Sequence, residues 1–151
     1  MFKPLAARTL ITSALLVGAA SLATGAQAAH HGEMDEAGHL GVWAEDQSVE
    51  SGTVTADRIV AENNGWLVVH RTDESHKPGR VVGHAPLKAG ENTDIAAILT
   101  EEVSSGEHLM LMLHGEDGGM QTGIFEYTLG ASEDGPVKVD GNLVMSVITA
   151  Q

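Results

Sequence analysis

Histidine and methionine are the residue types in this sequence best suited to binding an ion through their side chains. The chain has eight histidines, six methionines and no cysteine. Imidazole nitrogens bind copper, zinc and nickel, whereas thioether sulfur favours Cu(I). The lack of cysteine excludes thiolate metal sites, cysteine nucleophiles and disulfide bonds. Clusters of histidine and methionine are therefore the first places to look for a site.

The densest cluster alternates along one apolar run and consists of His108, Met110, Met112 and His114. Alternate side chains of a β-strand point to the same face, so a strand here would align them as a strip of soft-metal ligands. The alternative is that the methionines fill the core and the histidines lie at the strand ends, since methionine packs readily in protein interiors. Elsewhere, His70 and His84 are predicted to be neutral, hydrogen-bonded histidines in strands.

The first 28 residues have the features of a secretory signal peptide. Lys3 and Arg8 give a positive start, Leu10–Ala23 is a short apolar stretch, and Ala26–Ala28 is a small-x-small cleavage site. The apolar stretch is shorter than the roughly 20 residues of a membrane span. These features predict a periplasmic or secreted protein that is not inserted in a membrane after processing.

Cleavage after Ala28 would create a second candidate metal site. The processed chain would begin with Ala29 and would have His31 in third position. The Ala29 amine, two deprotonated amides and the His31 imidazole can form a square-planar set of four nitrogens, which suits Cu(II) or Ni(II). The alternative is that this segment is only a polar lead-in.

The charge of the chain limits its partners. The formal net charge is −13, and residues 1–28 contain two of the eight lysines and arginines but none of the 21 acidic residues. The processed chain therefore has a net charge of −15. Binding to phosphate requires lysine and arginine, so nucleic acid and anionic lipid are excluded as partners. Salt at about 1 M would screen the self-repulsion, which fits a salt-rich habitat.

Short β-strands with turn residues between them are predicted to position these side chains. The predicted strands are residues 53–61, 66–71, 80–87, 93–100, 108–114, 123–129 and 143–149. They predict an all-β fold, a single seven-stranded Greek-key β-sandwich of immunoglobulin-like or cupredoxin-like type over residues 52–151, with an open barrel as the alternative. Residues 29–51 are predicted to be a mobile, acidic, histidine-bearing lead-in. The side chains predicted to be buried between the two sheets are Trp66, Val68, Leu111, Leu113, Phe125 and Val147.

Several short segments occur in a characteristic order: Gly65–His70, Pro78–Gly83, Leu87–Asn92, Leu111–His114, Gly123–Glu126 and Asp134–Val137. Together they resemble an uncharacterised family of secreted β-sandwich domains, common in cell-surface proteins of halophilic archaea and present in some bacteria. The resemblance implies the fold and an exported location, and it implies no catalytic residues. Separately, Gly106–Met112 is similar to the His-x-Met strand of periplasmic copper chaperones, although Pro86 occupies the position of their upstream methionine.

The sequence favours a non-catalytic binding or surface module over an enzyme. The first alternative is a periplasmic copper protein that uses histidine and methionine, so copper is the one cofactor and a metal ion the one partner that the sequence suggests. A more remote alternative is a hydrolase with an unrecognised site. The sequence has no Gly-x-Ser-x-Gly, no His-Glu-x-x-His and no phosphate-binding glycine loop.

Overall fold

A computed structural model describes residues 39–151. The predicted signal peptide and the predicted N-terminal metal ligands Ala29 and His31 lie outside these residues. The described part is built from β-strands without any helix, which confirms the predicted all-β class. Accordingly, residues 39–151 contain no helix of the length and apolarity needed to cross a membrane.

The described residues form nine strands: β1 Gly41–Trp43, β2 Thr53–Ala61, β3 Gly65–Thr72, β4 Val81–Leu87, β5 Gly90–Leu99, β6 His108–Gly115, β7 Lys138–Val139, β8 Asn142–Leu143 and β9 Met145–Thr149. Seven of them make one antiparallel sheet in the order β1-β2-β5-β4-β3-β6-β9, and β7 and β8 form a separate hairpin. Most of the predicted strands therefore exist close to their predicted bounds.

The seven-stranded sheet curves until its two edges come close together. Just after β1, Gln47 forms a parallel bridge with Ala150, which follows β9. The backbone amide of Thr149 donates to the Asp46 carboxylate at 2.7 Å, and the amide of Gln151 donates to the Gln47 carbonyl at 2.8 Å. The architecture is therefore a nearly barrel-shaped single sheet, nearer to the alternative barrel than to the two facing sheets of the predicted sandwich. The curvature follows from the twist of adjacent strands.

The turn between β2 and β3 does not form the hairpin that its sequence suggests. Asn63, Asn64 and Gly65 are typical hairpin residues, yet β2 pairs with β5, whereas β3 pairs with β4 and β6. The turn is held by Asn64, whose side-chain oxygen accepts a hydrogen bond from the amide of Ala89 at 3.0 Å. Turn residues specify that the chain reverses, but not which strands pair.

The start of the folded region lies earlier than predicted. Strand β1 falls within the predicted mobile lead-in, but Val42 is buried and Gly41–Trp43 pair with β2. The guanidinium of Arg58 lies 4.5 Å from the centre of the Trp43 ring, a cation–π contact between paired residues. Because the residues around this strand are polar, the sequence predicts a mobile segment here, although the few apolar side chains of the strand pack in the sheet.

The two central strands β3 and β6 are buried on both faces. One face contributes Leu67 and Val69 of β3, together with Leu109, Leu111 and Leu113 of β6, to the main core inside the curved sheet. The other face carries side chains that are also buried: Trp66, Val68, His70, Met110, Met112 and His114. The residues predicted to share one core therefore lie on two faces of the sheet. Trp66 and Val68 are on the opposite face from Leu111 and Leu113. Phe125 and Val147, predicted to be buried, are half-buried.

The outer face of β3 and β6 is covered by residues 116–135, hereafter the cover segment. It includes residues 123–129, which were predicted to be a strand and are instead irregular. The alternation of Phe125 and Tyr127 imitates a strand, but both rings serve to pack against the sheet. The segment is fastened at its end by Asp134, whose amide donates to the Asp117 carbonyl at 2.8 Å and whose carboxylate accepts from the Glu126 amide at 2.8 Å.

Candidate functional site

Two histidines meet beneath the cover segment. His70 on β3 and His114 on β6 are both fully buried, and their Nε2 atoms are 3.3 Å apart. Their ring centroids are 5.4 Å apart and their planes differ by 28°, so the rings meet end to end through Nε2. In the β3–β6 register, His70 is opposite Met110 and His114 is opposite Trp66, so the Val68–Met112 pair lies between them.

The second nitrogen of each ring fixes its tautomer. His70 Nδ1 lies 2.8 Å from the Gly79 carbonyl, and His114 Nδ1 lies 2.7 Å from the Asp134 carbonyl. A carbonyl oxygen can only accept a hydrogen bond, so each Nδ1 must carry the proton and donate it. In the neutral pair, both Nε2 atoms then have no proton, and two lone pairs face each other across 3.3 Å.

Burial keeps this pair neutral. Desolvation lowers the pKa of His114 to about 4, against the opposing effect of its bond to the Asp134 carbonyl. Desolvation likewise lowers the pKa of His70, although its bond to the Gly79 carbonyl acts in the other direction. Both rings are therefore unprotonated near neutral pH, as expected for His70 from the sequence. Unprotonated imidazole is the form that binds metal ions.

Aromatic rings enclose the two histidines. Tyr127 approaches His114 edge-on with centroids 4.6 Å apart and His70 at 5.9 Å. Phe125 stacks on the exposed ring of His84 at 4.4 Å and contacts Trp66 at 5.5 Å. These six side chains, from β3, β4, β6 and the cover segment, are called the histidine pocket below. Their packing holds the two imidazoles in one orientation and keeps bulk water away from Nε2.

Two polar atoms around the pocket are buried without a hydrogen-bond partner among residues 39–151, the indole nitrogen of Trp66 and Oδ1 of Asp134. Asp134 is only 1% exposed, and its backbone carbonyl is the acceptor for His114. Its φ of 45° lies in the left-handed region, which aspartate tolerates better than most residues. A carboxylate oxygen that is buried without a hydrogen-bond donor costs free energy, so a positive group near Oδ1 would be stabilised.

The predicted strip on β6 is only partly brought together. His108, Met110, Met112 and His114 occupy alternate positions of β6, and the last three are buried. His108 is at the opposite end of the strand from His114, where its Nδ1 is 3.4 Å from the Thr149 hydroxyl. The imidazole that approaches His114 is instead that of His70, which was not among the predicted metal ligands. The sequence did hold a signal, because an imidazole directly after the apolar run of β3 needs polar partners if it is buried with that run.

The described residues contain no group of three or more His, Cys, Asp or Glu side chains placed to hold a metal ion. Two imidazoles alone can nevertheless provide two ligands. With the two Nε2 atoms 3.3 Å apart, an ion about 2.0–2.1 Å from each of them would have an N–metal–N angle close to the tetrahedral value. The Nδ1–H···O=C bonds are the outer interactions that usually orient metal-binding histidines. Further ligands would have to be thioether, carbonyl or water.

An open cleft adjoins the pocket at one end of the curved sheet. It has a volume of about 620 Å³, and its lining includes His114 and the first residues of the cover segment. Leu113 and Val137 contribute apolar lining, while Glu62, Glu116 and Asp117 contribute carboxylates. This cleft is suited to drawing cations toward the side of the pocket where His114 lies, because carboxylate-lined clefts concentrate them.

Comparison with known proteins identifies one family and no characterised relative. A family model described as a domain of unknown function, DUF7282, matches residues 41–151, which is most of the chain and all nine strands. No curated protein and no solved structure gives a significant match. The match agrees with the expected resemblance to an uncharacterised domain family, and its beginning at residue 41 agrees with the structure, where β1 is part of the sheet.

Proposed function

We propose a function from the premise that this chain belongs to the DUF7282 family of domains of unknown function: it is a non-catalytic binding module that acts outside the cytoplasm and holds a metal ion between His70 and His114. This proposal joins the exported binding module favoured by the sequence with its first alternative, a histidine-based metal protein. The proposed ligands are His70 and His114, on two different strands, whereas the spacing along β6 suggested His108, Met110, Met112 and His114.

The observation that supports metal binding most directly is the pair of facing lone pairs. Neutral imidazoles repel in this arrangement, whereas one positive ion between the two Nε2 atoms turns the repulsion into two bonds. A proton could also bridge the nitrogens, but desolvation opposes the protonation of both rings. A metal ion is the better occupant because it gains additional ligands that a proton does not use.

The role outside the cytoplasm is supported by the sequence. The charged start, apolar stretch and small-x-small site of residues 1–28 have the pattern of an export signal. A net charge of −15 for the remaining chain favours solubility and disfavours phosphate-bearing partners. The same charge suits a salt-rich medium, which would accord with the expected occurrence of the family in halophiles. The carboxylates of the cleft would help the acidic surface to collect cations.

The test is the metal content of purified protein after separate dialysis against Cu(I), Zn(II) and Ni(II), measured by mass spectrometry of the elements. We expect one equivalent of at least one of these ions that depends on both His70 and His114. His70→Phe and His114→Phe should each remove this equivalent, since phenylalanine keeps the ring volume but offers no nitrogen. Bound metal should also raise the melting temperature of the unmodified protein by mass action.

A matched control removes an imidazole elsewhere. His76 is exposed and has a φ of 52°, a conformation that asparagine accepts, so His76→Asn should fold normally and keep the metal equivalent. Circular dichroism and melting of the metal-free variants establish that each is folded. Equal metal content in the unmodified protein, His70→Phe and His114→Phe would refute the proposal.

A further inference from the structure

We propose that the ion held by the histidine pair is Cu(I), with the thioether of Met112 as a third ligand and the buried carboxylate of Asp134 as the balancing charge. This inference rests on the proposed function and specifies its ligand. It arises from three features that the pair alone does not explain: the position of Met112, the unpaired oxygen of Asp134 and the apolar surroundings.

The strand register selects Met112 rather than Met110. The two imidazoles meet from either side of the Val68–Met112 pair, so Met112 belongs to the cross-strand pair that lies between the pairs of His70 and His114. Met110 is the cross-strand partner of His70 itself and so does not lie between the two histidines. Met112 is 1% exposed, and its long flexible side chain can adjust to an ion placed above the pair. Its sulfur is a soft ligand that favours Cu(I) over Zn(II).

The charges of the pocket favour a monovalent ion. Two neutral imidazoles and a thioether bring no charge, whereas an ionised Asp134 brings one negative charge, and its Oδ1 has no hydrogen-bond partner among the described residues. Cu(I) would make the buried group neutral overall. Zn(II) would leave one uncompensated positive charge in a site enclosed by aromatic rings, and burying such a charge is costly.

The small number of strong ligands also favours Cu(I). Residues 39–151 contain no cluster of three or more His, Cys, Asp or Glu side chains able to bind metal, whereas protein sites for zinc ordinarily offer three or four such ligands. The two nitrogens and one sulfur proposed here would serve a soft ion with few ligands. The rings of Tyr127 and Phe125 would keep water and oxidants from the ion.

The experiment is an anaerobic competition in which the purified protein removes Cu(I) from its coloured complex with bicinchoninate. The unmodified protein should take one Cu(I), and X-ray absorption of the loaded protein should show both nitrogen and sulfur ligands. Met112→Leu keeps the side-chain volume but should lower the Cu(I) affinity roughly tenfold and remove the sulfur contribution. Met110→Leu is the matched control and should behave as the unmodified protein.

The role of charge is tested with Asp134→Asn. Asparagine tolerates the left-handed backbone and can still accept from the Glu126 amide, and the carbonyl that orients His114 is unchanged. This substitution should lower Cu(I) affinity by roughly tenfold, the effect of losing one nearby charge in a partly screened interior. Titration with Zn(II) on the same variants provides the comparison.

The outcomes separate the two proposals. Cu(I) binding that depends on His70, His114, Met112 and Asp134 supports both. Binding of Zn(II) at the histidine pair as tight as that of Cu(I), or Cu(I) binding indifferent to Met112→Leu, overturns the copper assignment and leaves the metal-binding function standing. The absence of any metal whose binding depends on His70 and His114 overturns both.

Discussion

At the scale of single residues, the hydrogen bond at one nitrogen of each buried imidazole decides the state of its other nitrogen. The carbonyls of Gly79 and Asp134 accept hydrogen bonds from Nδ1 of His70 and His114 and so keep the proton of each ring on Nδ1. Nε2 of each ring is therefore unprotonated and has a free lone pair. If only one of the two rings carried its proton on Nε2, the pair would be joined by an ordinary N–H···N hydrogen bond. The residue type alone therefore does not define the proposed site, which needs the two backbone carbonyls as well as the imidazoles.

Lowered histidine pKa values predict how the metal-free protein responds to acid. His114 has a folded-state pKa of about 4, whereas in the unfolded chain its pKa is about 6.5. Between these values the unfolded state binds a proton that the folded state does not, so stability falls as the pH falls through this range. Above about pH 6.5 the effect is absent; below about pH 4 its full cost is on the order of 3 kcal/mol. His70 adds to the loss in the same direction.

The measurement is urea unfolding of chelator-treated protein at pH 7.5 and at pH 4.5. Because many carboxylates also titrate in this range, the informative quantity is the difference between the unmodified protein and His114→Phe. The variant should lose less stability on acidification than the unmodified protein. The exposed-site control, His76→Asn, should follow the unmodified protein. Parallel pH profiles for His114→Phe and the unmodified protein would contradict the prediction.

At the scale of elements, β3 and β6 explain why the sheet can support a buried polar pair. Their inward faces form the main core, and their outward faces are closed by the cover segment. Strands buried on both faces are expected to read as continuous apolar runs, which is how Trp66–Val69 and Leu109–Leu113 appear in the sequence. His70 and His114 directly follow these runs, where they are buried by packing on both sides.

The inward face of β6 provides a stability prediction. Leu111 is fully buried in the main core, so Leu111→Ala should reduce the free energy of unfolding by about 2–5 kcal/mol, through lost burial and a residual cavity. Ile98 on β5 is 73% exposed, and Ile98→Ala should change it by no more than about 0.5 kcal/mol. Urea denaturation of both variants measures the difference. A loss for Leu111→Ala as small as that for Ile98→Ala would show that Leu111 is not part of the core.

At the scale of the whole molecule, the closure of the sheet depends on residues near both ends of the described region. Residues near the C-terminus close the curved sheet, since Ala150 bridges to Gln47 and Thr149 is held by Asp46. Closure of the curved sheet therefore depends on the segment after β1 and on the residues that end β9 and follow it. The predicted export signal precedes this region in sequence, so its removal would leave all nine strands in the processed chain.

Export predicts a defined new N-terminus. Mass spectrometry of the protein recovered from the periplasm or the medium of an exporting bacterial host should show Ala29 as the first residue, since cleavage follows the small-x-small site at Ala26–Ala28. Ala28→Arg should block or shift this cleavage, because the site requires a small residue at its last position. Full-length protein that begins at Met1 and remains in the cytoplasm would contradict export.

The amino-acid sequence by itself determined the all-β class and most of the strands. Alternation and β-branched residues within each run depend on neighbouring residues only, so β2, β3, β4, β5 and β6 were predicted close to their observed bounds. Local pattern was misleading where tertiary contacts decide. Residues 123–129 alternate like a strand but cover the sheet, and Gly41–Trp43 lie within the predicted polar lead-in but pair with β2.

Only the tertiary structure decided which strands are neighbours and which histidines meet. His70 and His114 are 44 residues apart in the chain, and their contact depends on the β3–β6 register, the bulge near His70 and the carbonyls of two separate loops. The sequence predicted His114 as a candidate ligand and grouped it with His108 because both lie on one strand, whereas in the structure its neighbour is His70. Period-two patterning assigns a side chain to a face; the distance between two side chains on different strands is set by long-range packing, which no local pattern encodes.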